Sequence, residues 1–105
     1  MLYYDCTILI PTTKTEWTLA AEECQARFLE QAGGYIMTEA RGAYTMADGT
    51  VAYESCVKIS CLIQDWGDRG EVWPFMRDMA RMVKKMLNEE SVLVTITEAG
   101  KAVFV

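Results

Sequence analysis

The dipeptide Asp48-Gly49 constrains this chain more than any other feature. A two-residue type I′ hairpin turn needs φ > 0 at both central positions, and Asp-Gly is among the few pairs that accept it. With those residues as the turn, Ala47 opposes Thr50, Tyr44 opposes Tyr53 and Glu39 opposes Lys58. Side chains alternate along a strand, so one face then carries Ile36, Thr38, Ala40, Gly42, Tyr44 and Met46 against Val51, Tyr53, Ser55, Val57, Ile59 and Cys61. The opposite face carries Tyr35, Met37, Glu39, Arg41, Ala43 and Thr45 against Ala52, Glu54, Cys56, Lys58, Ser60 and Leu62. The expectation is one long hairpin over Gly33–Ile63 with an apolar inner face and a charged outer face.

The flanking segments supply two helices and two more strands. Leu2–Ile10 alternates as a strand that Pro11 stops, with Tyr3, Asp5, Thr7 and Leu9 on its outer face. Thr13 with Glu16, or Thr18 alone, offers cap chemistry for a helix that ends at Ala32, buries Ala21, Cys24, Phe28 and Ala32, and stops at Gly33-Gly34. A polar break from Gln64 to Gly70 precedes a second helix, Glu71–Asn88, whose apolar positions follow three-and-four spacing. Pro74 is acceptable there because it falls in the first turn, and Asp68 is the expected N-cap. Ser91–Thr97 reads as a strand, Glu98–Lys101 as a turn, and Ala102–Val105 as a short fifth strand or an arm. The order strand, helix, strand, strand, helix, strand specifies a single domain over 1–105. It is a ferredoxin-like βαββαβ α+β sandwich, an antiparallel sheet with two helices on one face. Tyr44, Val57, Ile59, Phe28, Met79 and Val83 are its expected core residues.

Composition excludes several function classes. A net charge of −5 argues against nucleic acid, whose binding draws on clustered Lys and Arg. Arg77, Arg81, Lys84 and Lys85 form the one basic cluster, and a solvated helix face accounts for it. No apolar run approaches the roughly 20 residues that span a bilayer, and the first residues lack the basic region of a signal peptide. A cytoplasmic location without membrane contact is the default. Four cysteines, at 6, 24, 56 and 61, contain no Cys-x-x-Cys pair and the chain has no histidine, so neither zinc nor any other metal or cofactor is expected. The cysteines read as reduced thiols, mostly in the core. Without histidine the commonest general base is missing, and no catalytic residues are assigned. Cys56, close in sequence to Lys58 and opposite Arg41's strand, is the one candidate thiolate.

Function is therefore sought on the uncovered sheet face. Tyr3, Met37, Glu39, Glu54, Leu62 and Leu93 are expected there as an interface, with apolar area for affinity and charges for register. Phe104, in the apolar terminal segment, is expected to reach a neighbouring copy by strand addition. Together with an unprotected edge at Tyr35–Thr45 these predict a homo-oligomer. For an anionic ligand the candidates are Arg41 and Lys58 on adjacent strands, and Trp66 and Arg69 before the second helix, whose N-terminus attracts anions.

Gly33-Gly34-Tyr35, Glu39-Ala40-Arg41-Gly42-Ala43-Tyr44, Asp48-Gly49-Thr50, Glu54 and Leu87-Asn88-Glu89-Glu90-Ser91-Val92 resemble a loose group of small uncharacterised proteins of phages, prophages and gut bacteria. The resemblance covers most of the chain from the first helix onward and implies a compact ferredoxin-like fold. The phage setting it implies suggests a non-enzymatic binding module for counter-defence. Such a module would sequester an anionic signalling nucleotide or block a host protein. A ligand-sensing regulatory domain of the host is the alternative reading, and a cysteine-dependent enzyme the outside one.

Overall fold

The computed structural model describes residues 3–64, 71–100, 102, 103 and 105. The elements are β1 (Tyr3–Pro11), α1 (Trp17–Ala32), β2 (Ile36–Thr45), β3 (Val51–Gln64), α2 (Val72–Leu87) and β4 (Val94–Gly100). All strand pairs are antiparallel and the sheet order is β2-β3-β1-β4. This is the ferredoxin-like βαββαβ arrangement that the element order specifies. No helix among the described residues is long and apolar enough to cross a membrane.

One core joins the sheet to both helices. Cys6, Ile8 and Ile10 of β1 and Val57, Ile59, Cys61 and Ile63 of β3 pack with Cys24 and Phe28 of α1 and with Met76, Met79, Val83 and Leu87 of α2. The rings of Phe28 and Phe75 meet between the helices at 6.1 Å. All four cysteines are buried free thiols. Burial, against loss of solvation for a thiolate, pushes Cys6, Cys24 and Cys61 up to about 12.

Helix ends follow local chemistry. Gly33 takes φ +79° and its N–H donates to Leu29 O, closing α1 as expected. Asn88 ends α2 in the same left-handed region, with its own N–H on Lys85 O and that of Glu89 on Lys84 O, a Schellman pair. The N-termini differ from expectation. Glu16 holds the N-cap position of α1 and Glu71 that of α2, and neither makes a side-chain cap bond. Neither Thr13 nor Thr18 is thus the cap of α1, and Asp68 lies outside the described residues.

The hairpin register is one residue away from the sequence reading. Thr45 pairs with Val51, Tyr44 with Ala52 and Glu39 with Val57. The turn is the cause. Gly49 N–H donates to Met46 O and Met46 N–H to Thr50 O, while Gly49 alone takes φ +87°. Ala47, Asp48 and Gly49 thus form a three-residue loop, a type I turn followed by a glycine bulge. Asp48 keeps negative φ, and its carboxylate accepts the Thr50 N–H and hydroxyl at 3.0 and 2.6 Å. Those bonds hold its pKa below the usual carboxylate value.

Shifting β2 by one residue moves each of its side chains to the opposite sheet face. Met37, Glu39 and Arg41 lie on the helix side, and Ile36, Thr38, Ala40, Gly42 and Tyr44 on the uncovered side. Glu39 and Lys58 therefore do not oppose one another. Tyr44 is not core: it is 49% exposed, its ring lying over Gly42. The other five expected core residues are buried.

The hairpin also outreaches the rest of the sheet. β1 stops at Pro11, opposite Cys56, and beyond the Thr12 N–H bond to Ser55 O residues 41–45 and 51–54 have no other strand beside them. This arm accounts for the long axis of the molecule, 45 × 27 × 27 Å, and for a radius of gyration of 14.6 Å. At the other edge, β4 runs to Gly100 through a register shift at Tyr3/Tyr4, extending past the expected turn at Glu98. Ala102, Val103 and Val105 lie outside any strand.

Candidate functional site

A groove of about 580 Å³ opens on the helix side of the sheet, where the arm leaves the body. Its volume is that of a small-molecule site. The floor is the root of the hairpin, with Glu39 and Arg41 of β2 and Ser55 of β3; Thr12 and Trp17 form the wall, and Cys56 borders it. Each part has a local origin. Pro11 ends β1 and turns the chain away, and the Thr12 N–H then donates to Ser55 O at 3.1 Å. Trp17 opens α1, its N–H held by Lys14 O, so the indole sits half-buried at the helix start. The register places Arg41 opposite Ser55 and Glu39 opposite Val57 on the same face.

Lys14 fixes this loop from the far side. Its ammonium donates to the Leu87 and Asn88 carbonyls at the end of α2 and pairs with Glu89 at 3.6 Å. A cation there also meets the negative end of the helix dipole. The β1–α1 loop, and with it Thr12 and Trp17, is thereby tied to the body of the molecule. Sequence reading missed both Lys14 and Trp17, because what they meet across the fold, Leu87, Asn88 and Glu89 for Lys14 and Glu39 and Arg41 for Trp17, lies more than 20 residues away.

The groove can hold a planar ring and an anionic group together. Trp17 offers an aromatic face, Thr12 and Ser55 offer hydroxyls, and Arg41 offers a planar fork of donors. Among the described residues Arg41 makes no ion pair or hydrogen bond, so its donors face solvent in the groove. No side chain caps the N-terminal turn of α1 alongside. Glu39 on the same face makes no ion pair there either and can accept from an amino or hydroxyl group. The Cys56 thiol is raised above its ordinary pKa, first by burial and then by the charge of Glu54, which opposes thiolate formation.

Of the other sequence candidates, Lys58 projects from the opposite face of the sheet and does not join Arg41. Trp66, Arg69 and Phe104 lie outside the described residues. On the uncovered face Tyr3, Glu54, Leu62 and Leu93 stand as expected, whereas Met37 and Glu39 do not. Met37 instead accepts a contact from the Gln25 amide of α1 at 3.2 Å. Ile36, 69% exposed, takes its place near Leu62, while Leu93 lies at the far edge of the same face, so that β2 contributes a more apolar surface there than the sequence register implies. Thr7 and Ser60 share a hydrogen bond of 2.9 Å at its centre.

No protein-family model and no curated protein matches the chain. Solved structures do resemble it. A phage SAM lyase in complex with S-methyl-5′-thioadenosine superposes with TM-score 0.70 at 19% identity, over 93% of this chain and 82% of that one. The periplasmic divalent cation tolerance protein CutA from Archaeoglobus fulgidus matches with TM-score 0.66 at 16% identity, over 96% and 87%. The B. subtilis GlnK–ATP complex matches with TM-score 0.61 at 11% identity, over 95% and 91%. At these identities the likeness establishes the shared fold.

Proposed function

We propose that this chain is a small, phage- or prophage-type binding module that sequesters an anionic adenosine-type nucleotide or nucleoside in the groove at the arm root. The observation that carries the reading is the meeting of Trp17, Arg41, Thr12 and Ser55 around one cavity of ligand size. The indole stacks on the base, Arg41 takes the anionic group with two parallel bonds, and the hydroxyls serve the sugar. Two proteins of the same fold were solved with adenosine compounds bound, S-methyl-5′-thioadenosine and ATP, which supports the adenosine part of the ligand class, ATP alone of the two being anionic. Counter-defence in the host cytoplasm follows from the phage setting, by removal of a nucleotide messenger. A homo-oligomer belongs to the same proposal, with Ile36, Leu62 and Leu93 of the uncovered face against a second copy. Sequestration of the ligand stands against blockade of a host protein as the competing form.

Calorimetry with S-methyl-5′-thioadenosine, S-adenosylmethionine, ATP and cyclic nucleotides tests the reading. At least one is expected to give heat, with Arg41→Ala weakening binding of an anionic ligand by about tenfold or more through loss of about 1.5–3 kcal/mol per charged hydrogen bond, and Trp17→Ala weakening it through loss of about 1–3 kcal/mol of base stacking. No heat from any of them overturns the nucleotide reading. The likeness to the phage lyase favours a second reading, cleavage of S-adenosylmethionine. Release of S-methyl-5′-thioadenosine from S-adenosylmethionine by the purified protein would replace sequestration with turnover.

A further inference from the structure

At the opposite end of the sheet order, α2 presents a row of cations that the groove does not use. Trp73, Arg77, Arg81 and Lys84 recur at helical spacing and all are exposed. At about 1.5 Å per residue the row runs about 16 Å along the helix. It borders a shallow groove of about 260 Å³ whose other wall is Glu90, Ser91, Val92 and Val94, leading to the free edge of β4, so one carboxylate stands against three cations. Arg81 has only a surface pair with Asp78, at 3.7 Å, and Arg77 and Lys84 form no ion pair among the described residues. In a chain of net charge −5 the strip is a local reversal of sign.

The strand beside it is unpaired on one side. β4 closes the sheet order, with β1 on its inner edge and no described strand on its outer edge. Leu9 N–H donates to Leu93 O, so Leu93, Thr95 and Thr97 turn their backbone groups to β1 and the alternate residues Val94 and Ile96 turn theirs outward. The strand itself, Val-Thr-Ile-Thr-Glu-Ala-Gly, contains no Lys or Pro of the kind that protects an edge.

We infer that this edge receives an extended acidic peptide segment of a partner protein as an added strand. Its outward backbone groups pair with Val94 and Ile96, and alternate side chains reach the cation row. The spacing is within side-chain reach: successive same-side residues of a strand lie about 6.6–6.8 Å apart, while Arg77 to Arg81 rises about 6 Å and Arg81 to Lys84 about 4.5 Å, so each carboxylate has one of the three cations beside it. The apolar side chains between them point to the other face of the sheet, where Leu93 is exposed. A single phosphate would use one cation of a row this extended; a strand uses all three. The inference stands apart from the ligand of the arm-root groove and gives the protein-blocking form of action a surface.

The test uses the full chain and a fluorescein-labelled peptide of alternating Val and Glu, seven residues long, with an alternating Val and Lys peptide as control. The acidic peptide is expected to bind and the basic one not. Binding is expected to weaken about tenfold in Arg77→Gln/Arg81→Gln, whose melting temperature is unchanged, and to fall as salt rises, because screening acts on exposed charges. Hydrogen exchange at the Val94 and Ile96 amides is expected to slow in the complex. The inference is overturned by no binding of the acidic peptide at millimolar concentration, by equal binding of the basic peptide, or by binding that leaves those amides unprotected. ATP competing for the row with the same charge dependence, without amide protection, would reassign it to small anions.

Discussion

Replacing Lys14 by Met keeps the side-chain stem and removes the charge that joins the β1–α1 loop to the end of α2. Three interactions go at once: the bonds to Leu87 O and to Asn88 O, the latter at 3.2 Å, and the pair with Glu89 at 3.6 Å. A hydrogen bond to a charged group contributes about 1.5–3 kcal/mol when sheltered. Here the lysine side chain is 40% exposed and water can replace it on the carbonyls, so the bonds are discounted. The exposed ion pair adds under about 0.5 kcal/mol, and the helix dipole about 0.3–1 kcal/mol. The expected loss is about 1–2 kcal/mol. For a chain of 105 residues that lowers the melting temperature by about 4–9 °C. Urea denaturation of Lys14→Met, Lys14→Arg and Glu89→Gln separates the contributions. Lys14→Arg should retain more than half of the stability and Glu89→Gln should lose under about 0.5 kcal/mol. Hydrogen exchange at the amides of Asn88 and Glu89 should accelerate in Lys14→Met before global unfolding does, since only the last turn of α2 loses its anchor. A Lys14→Met loss below about 0.3 kcal/mol, within the noise of such measurements, would refute the clamp.

Two further outcomes follow from burial. Ile59→Ala should cost about 2–5 kcal/mol, since Ile59 is fully buried opposite Ile8, whereas Tyr44→Ala should cost under about 1 kcal/mol; the reverse ranking in denaturant melts would restore the slipped hairpin register. Burial raises the Cys6, Cys24 and Cys61 thiols from about 9 to about 12, so their contribution to stability is complete below pH 9 and is lost as pH climbs from there toward 12. The urea midpoint should therefore fall between pH 9 and 11, less steeply in a Cys24→Ala variant, and an identical slope in that variant would contradict the assignment.

What was legible in the sequence is what nearest neighbours along the chain determine. Gly33 ended α1, Pro74 sat in the first turn of α2, Pro11 ended β1, and the element order gave the topology. The hairpin register was not legible, because β2 is apolar on both parities: Ile36 and Tyr44 alternate with Tyr35 and Met37. Burial then specifies register weakly and the turn decides it. Asp48-Gly49 fits a two-residue loop, yet Asp48 gains two bonds from Thr50 by staying at negative φ, leaving the positive φ to Gly49. That one residue carried Arg41 and Glu39 away from Lys58 and into a groove with Trp17. The Trp73, Arg77 and Arg81 row was visible as i, i+4 spacing. Its use depended on β4 being an edge, which spacing along α2 does not reveal.

The arm and the groove cannot behave independently. Arg41 and Ser55 are at once the groove floor and the root of the hairpin arm, and beyond the Thr12 bond to Ser55 O each strand has only the other for support. A two-stranded ribbon alone is marginal in water, and this one exposes Tyr53 at 82% along with Met46 and Val51. The angle between arm and α1 is therefore the softest dimension of the site. A ligand bridging Arg41 and Trp17 favours the one angle that seats it, and at a hundredfold excess over its Kd contributes about 2.7 kcal/mol to that arrangement. A second copy covering the uncovered face, with Tyr44 of the arm included, selects the same arrangement. Two partners that favour one conformation must strengthen each other's binding by the same factor. Light scattering at a fixed micromolar concentration should therefore show the mass rising when the nucleotide that gives heat is added. A Tyr44→Lys variant, altered on the uncovered face of the arm and held monomeric, should bind that nucleotide more weakly although Tyr44 does not line the groove. Equal nucleotide affinity in the monomeric variant and the unmodified protein would show that the arm and the groove are uncoupled.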